Sequence, residues 1–146
     1  MNSDSRLSVA LHVLLHLSDM HGAVTSETLG SMMTTNPAVI RRTLGGLRDA
    51  GIVAAEKGHG GGWTLARDLG TVSLADVYDA LGTRTPFGIG LRDPRPTCPI
   101  EKGVNRALGE ALREAEVVLM TRLRSVAVAD ILSKATRRRG TRSHAS

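Results

Sequence analysis

Four glycines fall within five residues, Gly58 and Gly60 to Gly62, led by Lys57, interrupted by His59 and closed by Trp63, the chain's single tryptophan. Glycine lets a backbone turn freely and lie close to a phosphate. The flanks decide whose phosphate it is. A P-loop needs Gly-Lys-Ser/Thr at the end of the run with a helix behind it, and here Trp63 and Thr64 follow. A dinucleotide cradle needs a further glycine where Trp63 stands, again opening a helix. Instead, "IVAAE" before the run and "WTLAR" at its end read as short strands, so the glycines are the bend of a hairpin. They outnumber what a two-residue hairpin needs. Making the turn is part of their role and the plainer reading of the run, but the excess points to a tip lying against a sugar–phosphate strand, with Lys57 and His59 at the contact beside Gly60 and Gly61.

Three other sites carry chemistry. Arg41 and Arg42 sit near the start of a helix that has no acid before Asp49, and arginine can bond guanine through two N–H groups. A merely solvated helical face is the plainer reading of the same pair. Cys98 stands just before Pro99 at the start of a long helix, where the helix dipole and Lys102 favour a thiolate. It is a candidate redox sensor; against that, Glu101 is near and a lone cysteine also serves as an inert small hydrophobe. His12 and His16 are one helical turn apart, but no third ligand clusters with them, so no metal site is assigned. No nucleophile stands beside a base, and nothing marks the chain as an enzyme.

The elements that position these groups follow from periodicity. Ser5 to Met20 is a Leu- and Val-rich helix with a wide apolar face, destined for the centre of the core. A short second helix begins at Thr25 or Ser26, with Glu27 in its first turn and Leu29, Met32 and Met33 as its buried side. After "TTN", Asn36 caps a third helix with Pro37 at its first position, Ile40, Leu44 and Leu47 facing inward, and Gly51 at its end. Two short helices joined by a tight turn are a helix-turn-helix. The hairpin behind them is then a wing, with Trp63 seating it on the helices or lining an effector pocket with the linker. A further helix opens at Ser73 with Asp76 in capping-box position. The stretch 83–98, rich in Gly, Pro and Arg, reads as a linker. Residues 99–133 read as one long helix, about 50 Å at 1.5 Å per residue, whose Leu108, Leu112, Ala115, Leu119, Leu123 and Val126 form a coiled-coil-like seam for a second copy.

The expected fold is therefore mainly α: a winged helix-turn-helix over 1–82 with a two-stranded wing, the linker, the dimerisation helix, and a basic tail over 134–146. The net charge of +5 is carried wholly by that tail, through Lys134, Arg137, Arg138, Arg139 and Arg142. Net charge thus argues little for a polyanion partner, and the tail either adds salt-dependent affinity or only solubilises. A single cysteine excludes an intrachain disulfide framework, and no apolar run is long enough for a membrane helix, so the chain reads as cytoplasmic.

"NPAVIRRTLGGLRDAGIV", "KGHGGGWTLAR" and "TVSLADVYDALG" together resemble the Rrf family of winged-helix transcription regulators, over about Ser5 to Ser133. The resemblance implies a homodimer with crossed long helices bound to an inverted repeat in double-stranded DNA, most simply as a repressor. It implies that Ala38, Val39, Arg41 and Arg42 reach the major groove and that Lys57 reaches the minor groove. Ser26, Thr35, Asn36 and Pro37, at the two helix starts, complete the expected DNA contacts. Members that hold an iron–sulfur cluster use three cysteines before the long helix; here Cys98 stands alone, so no cofactor is expected. The alternative outside DNA binding is a protein–protein adaptor whose wing meets a protein.

Overall fold

The computed structural model describes residues 4–59, 61–82 and 91–134. Helix α1 (Arg6–Asp19) runs through the middle, with Ala10, Val13 and Leu14 fully buried. Its start is fixed by Asp4, whose carboxylate accepts from the Arg6 guanidinium at 2.6 Å and the Arg6 N–H at 3.0 Å. Those bonds, the side-chain one first, lower the Asp4 pKa to about 2.

Helix α2 (Ser26–Met33) is capped by Thr25, whose hydroxyl accepts from the Thr28 N–H at 3.1 Å. Leu29 and Gly30 are buried and Met33 is half-buried against the core, but Met32 is 42 % exposed. The expectation of two buried methionines fails on helical geometry: Leu29 and Met33 share a face, and Met32 lies about 100° away from Met33. The turn into α3 (Pro37–Asp49) is tight enough that a Cβ on Gly30 would stand 2.7 Å from the Thr35 carbonyl oxygen. Asn36 caps α3 by accepting from the Ala38 N–H at 2.9 Å, and Ile40, Leu44 and Leu47 are fully buried.

Strands β1 (Val53–Glu56) and β2 (Gly62–Leu65) pair antiparallel, Val53 opposite Leu65 and Glu56 opposite Gly62. Val24 adds one rung, exchanging two backbone bonds of 3.0 and 2.8 Å with Trp63. A 3₁₀ turn (Leu69–Thr71) leads to α4 (Leu74–Ala80), where Ser73 and Asp76 form the complete capping box. The architecture is a mainly helical winged helix-turn-helix.

Helix α5 (Pro99–Arg124) has 26 residues, about 39 Å at 1.5 Å per residue. It stops well short of the expected Ser133. Met120 and Leu123 pack on Ala75 and Tyr78 of α4, and the chain then turns back. The Leu74 N–H donates to the Val126 carbonyl and the Val128 N–H to the Val72 carbonyl, each at 2.9 Å, with Val128 fully buried. The two backbone bonds to the chain around Ser73 and the fully buried site of Val128 outweigh another helical turn of α5. Helix resumes over 128–134, its start capped by Asp130, which accepts from the Ala127 N–H at 3.0 Å.

Candidate nucleic-acid interface

The inward commitment of Ile40, Leu44 and Leu47 leaves Ala38, Val39, Arg41 and Arg42 on the exposed side of α3. Asn36 is also exposed, while Thr35 and Pro37 are half-buried in the turn. Asn36 spends its side-chain oxygen on capping, and the Thr35 hydroxyl donates to the Met33 carbonyl at 3.2 Å. Arg41 is not free: its guanidinium bonds Glu27 Oε1 at 2.9 Å, across the helix-turn-helix. Both side chains remain more than half exposed, so the pair is weak. Arg42 has no partner among the described residues.

Sequence reasoning read Glu27 only as a dipole-compensating residue. Its pairing with Arg41 depends on the angle between two helices, which no local pattern encodes. Ser26 also changes role. It is buried, and its hydroxyl accepts from the Trp63 indole N–H at 3.0 Å. The Arg48 guanidinium lies 6.0 Å from the centre of the Trp63 ring. Trp63 therefore ties the base of the wing to the start of α2 and the end of α3, and the Ser26 side chain is occupied in that joint.

At the wing tip, Lys57 and His59 are exposed and Gly61 is half-buried; Gly60 lies outside the described residues. The loop runs from Lys57 to Gly61, longer than a two-residue turn, and is closed by the Gly61 N–H donating to the Gly58 carbonyl at 2.9 Å. Gly58 has φ +97°, and Gly62 has φ +150°. A Cβ on Gly62 would stand 2.6 Å from the Val24 backbone, and one on Gly61 2.5 Å from the Glu56 carbonyl oxygen. The hairpin thus accounts for these three glycines by itself, and Lys57 and His59 stand exposed at the tip.

Cys98 is exposed at the N-cap of α5 and makes no cap bond, and Glu101 in the first turn lies 4.0 Å from the Arg92 guanidinium. The His12 and His16 rings stack with centres 4.7 Å apart. Among the described residues no group of three His, Cys, Asp or Glu could hold a metal ion. The linker residues 83–90 and the tail residues 135–146 fall outside the described residues.

On α5, Leu112 and Leu119 are half-buried, Leu108 and Ala115 are exposed, and Leu123 is taken up by the contact with α4. Val126 lies beyond the helix end. The exposed apolar stripe is shifted toward Ile100 (79 %), Val104 (50 %) and Val118 (72 %), which align with Leu108, Ala111 and Ala115.

Known proteins place this arrangement. The Rrf2 family model, described as "Iron-dependent Transcriptional regulator", matches residues 3–134. This chain holds one cysteine, whereas ligation of an iron–sulfur cluster takes several thiolates. YwnA of Bacillus subtilis (strain 168), assigned by its name to the HTH-type transcriptional regulators, is 31 % identical over 130 residues, covering 89 % of this chain and 96 % of YwnA. A crystal structure assigned to a DNA-binding protein superposes with TM-score 0.71 at 29 % identity, covering 88 % of this chain and 99 % of that one. Another, assigned to a transcriptional regulator of Lactobacillus plantarum, gives TM-score 0.76 at 24 % identity, with 90 % of both chains covered. The winged helix-turn-helix, the glycine-bent wing and the match over nearly the whole length agree: this chain belongs to the Rrf2 family of transcriptional regulators.

Proposed function

We propose that the protein is a sequence-specific DNA-binding regulator that acts as a homodimer on an inverted-repeat operator and represses transcription. The observation that carries this reading is the exposed run Ala38, Val39, Arg41 and Arg42 on the first turns of α3. Inserted into a major groove, this turn offers apolar contact through Ala38 and Val39 and guanine recognition through the arginines. Arg41 would exchange Glu27 for a base edge. The exchange is favourable because an exposed ion pair contributes about 0–1 kcal/mol, whereas a bidentate guanine contact gives roughly 1–3 kcal/mol of discrimination. Lys57 and His59 would meet the flanking backbone.

Dimerisation is supported by the apolar stripe of α5, which has no cover among the described residues. Its steps of four and three, from Ile100 to Val118, suit a helix lying along a second helix. Two copies would place their α3 helices in successive major grooves, roughly 34 Å apart.

Selection of bound duplexes from random DNA, followed by fluorescence anisotropy, tests the reading. The selected sites should be inverted repeats, bound at least about 10³-fold more tightly than random duplex, with affinity falling steeply as salt rises. Equal, salt-insensitive affinity for both would leave the adaptor role. Repression is checked by placing the selected site across a reporter promoter, where co-expression of the protein should lower output.

A further inference from the structure

A cavity of about 720 Å³ lies between the end of α1, the exit of the wing and the C-terminal segment 128–134. Its size falls within the roughly 300–1,000 Å³ of small-molecule sites. Leu15, Leu65, Leu69 and Ala129 make its walls apolar, and among the described residues no Lys, Arg or His lines it. The two serines at its edge turn their hydroxyls onto their own helices: Ser18 donates to the Leu15 carbonyl at 2.7 Å and Ser133 to the Ala129 carbonyl at 3.4 Å. Asp68 is the remaining polar group. One of its oxygens accepts from the Gly70 N–H at 2.7 Å, and it has no ion-pair partner among the described residues.

From an open apolar pocket with one carboxylate at its edge that has no ion-pair partner among the described residues, we infer a binding site for a small amphipathic cation, an apolar body bearing one ammonium group. The ammonium would bond the free Asp68 oxygen while the body displaces water from the leucine walls. An anion of the same shape would meet only a negative charge and two hydroxyls that already donate elsewhere. The site joins the wing exit to the segment that follows α5, so an occupant would touch both the DNA-reading half and the dimerising half. The inference stands independently of DNA binding, because its test reads the cavity directly.

The probe is 1-naphthylmethylammonium, with 1-naphthylacetate as the anionic counterpart, titrated into the full-length protein and followed by ¹H–¹⁵N NMR. The cation should saturate, moving the amide signals of Leu65, Leu69 and Ala129, and should bind at least about tenfold more tightly than the anion. Asp68→Asn preserves the cap on Gly70, since asparagine caps as well as aspartate, and should remove that preference. Ser18→Phe, which fills the edge of the cavity from an exposed helical position, should abolish binding while leaving the thermal midpoint near that of the parent. Failure to saturate at millimolar cation, equal binding of the two probes, or an unchanged preference in Asp68→Asn would each overturn the inference.

Discussion

Two adjacent glycines in α3 should respond in opposite ways to the same substitution. Alanine gains about 0.5–1 kcal/mol over glycine in a helix interior, because it loses less backbone entropy on folding. At Gly45 a Cβ would have nothing within 4 Å, so Gly45→Ala should realise that gain in full. At Gly46 a Cβ would stand 2.9 Å from the carbonyl oxygen of Ala80, the last residue of α4. That atom is backbone at the end of a capped helix and can retreat only by moving α4 away from α3. Overpacking of this kind costs typically about 1–3 kcal/mol, which more than offsets the helix-propensity gain. Gly46→Ala should therefore be a net loss of up to about 2.5 kcal/mol. In a domain of this size each kcal/mol moves the thermal midpoint by about 2–4 °C. Melting followed by circular dichroism should show Gly45→Ala a few degrees above the parent and Gly46→Ala a few degrees below. Equal stabilisation by both would refute the close approach of α3 to α4.

The remaining predictions concern burial, charge and assembly. The Tyr78 hydroxyl is buried with no hydrogen-bond partner among the described residues, so Tyr78→Phe should be neutral or stabilising by up to about 1 kcal/mol in urea unfolding, and a clear loss would mean the hydroxyl has an acceptor. Burial first, then the nearby Glu116, Asp79 and Asp4 carboxylates, raise the Tyr78 pKa above its usual 10.0. The folded state thus holds this proton more tightly than the unfolded state. Its contribution is complete below pH 10 and declines as pH rises above that, and the same decline should be absent from Tyr78→Phe. Arg41→Ala should weaken binding to a selected operator by about 5- to 150-fold, with much less effect on random duplex; equal loss on both would remove Arg41 from base reading. Val104→Asp places a charge in the exposed stripe of α5 and should shift sedimentation from dimer to monomer without lowering the thermal midpoint of the winged domain. Unchanged sedimentation would move the interface elsewhere.

Features that rest on neighbouring residues were legible in the sequence. Thr25, Asn36 and Ser73 cap the helices that their positions forecast, and Ile40, Leu44 and Leu47 point inward as their spacing demands. What escaped was set by distant parts of the chain. The seam on α5 looked continuous because Leu123 and Val126 keep the step of three and four. Nothing local reveals that Tyr78 draws Leu123 aside, or that Leu74 offers Val126 a backbone donor. Ser26 looked like a helix-start contact because its acceptance of the indole N–H is fixed by a residue 37 positions away. The glycine run was placed in the wing from its flanks, but the approach of Gly62 to Val24 escaped, since it belongs to the packing of the wing on the strand fragment before α2.

The joint at Trp63 gives the molecule a built-in optical reporter. It is the only tryptophan in the chain, so all indole emission originates at the base of the wing. Its N–H is held by Ser26 and its ring lies near a guanidinium, so both the wavelength and the intensity of that emission depend on how the wing is seated. Any ligand, operator or substitution that lifts the wing from α2 would expose the indole to water and shift its emission to the red. Wing motion can therefore be followed in real time with no label attached.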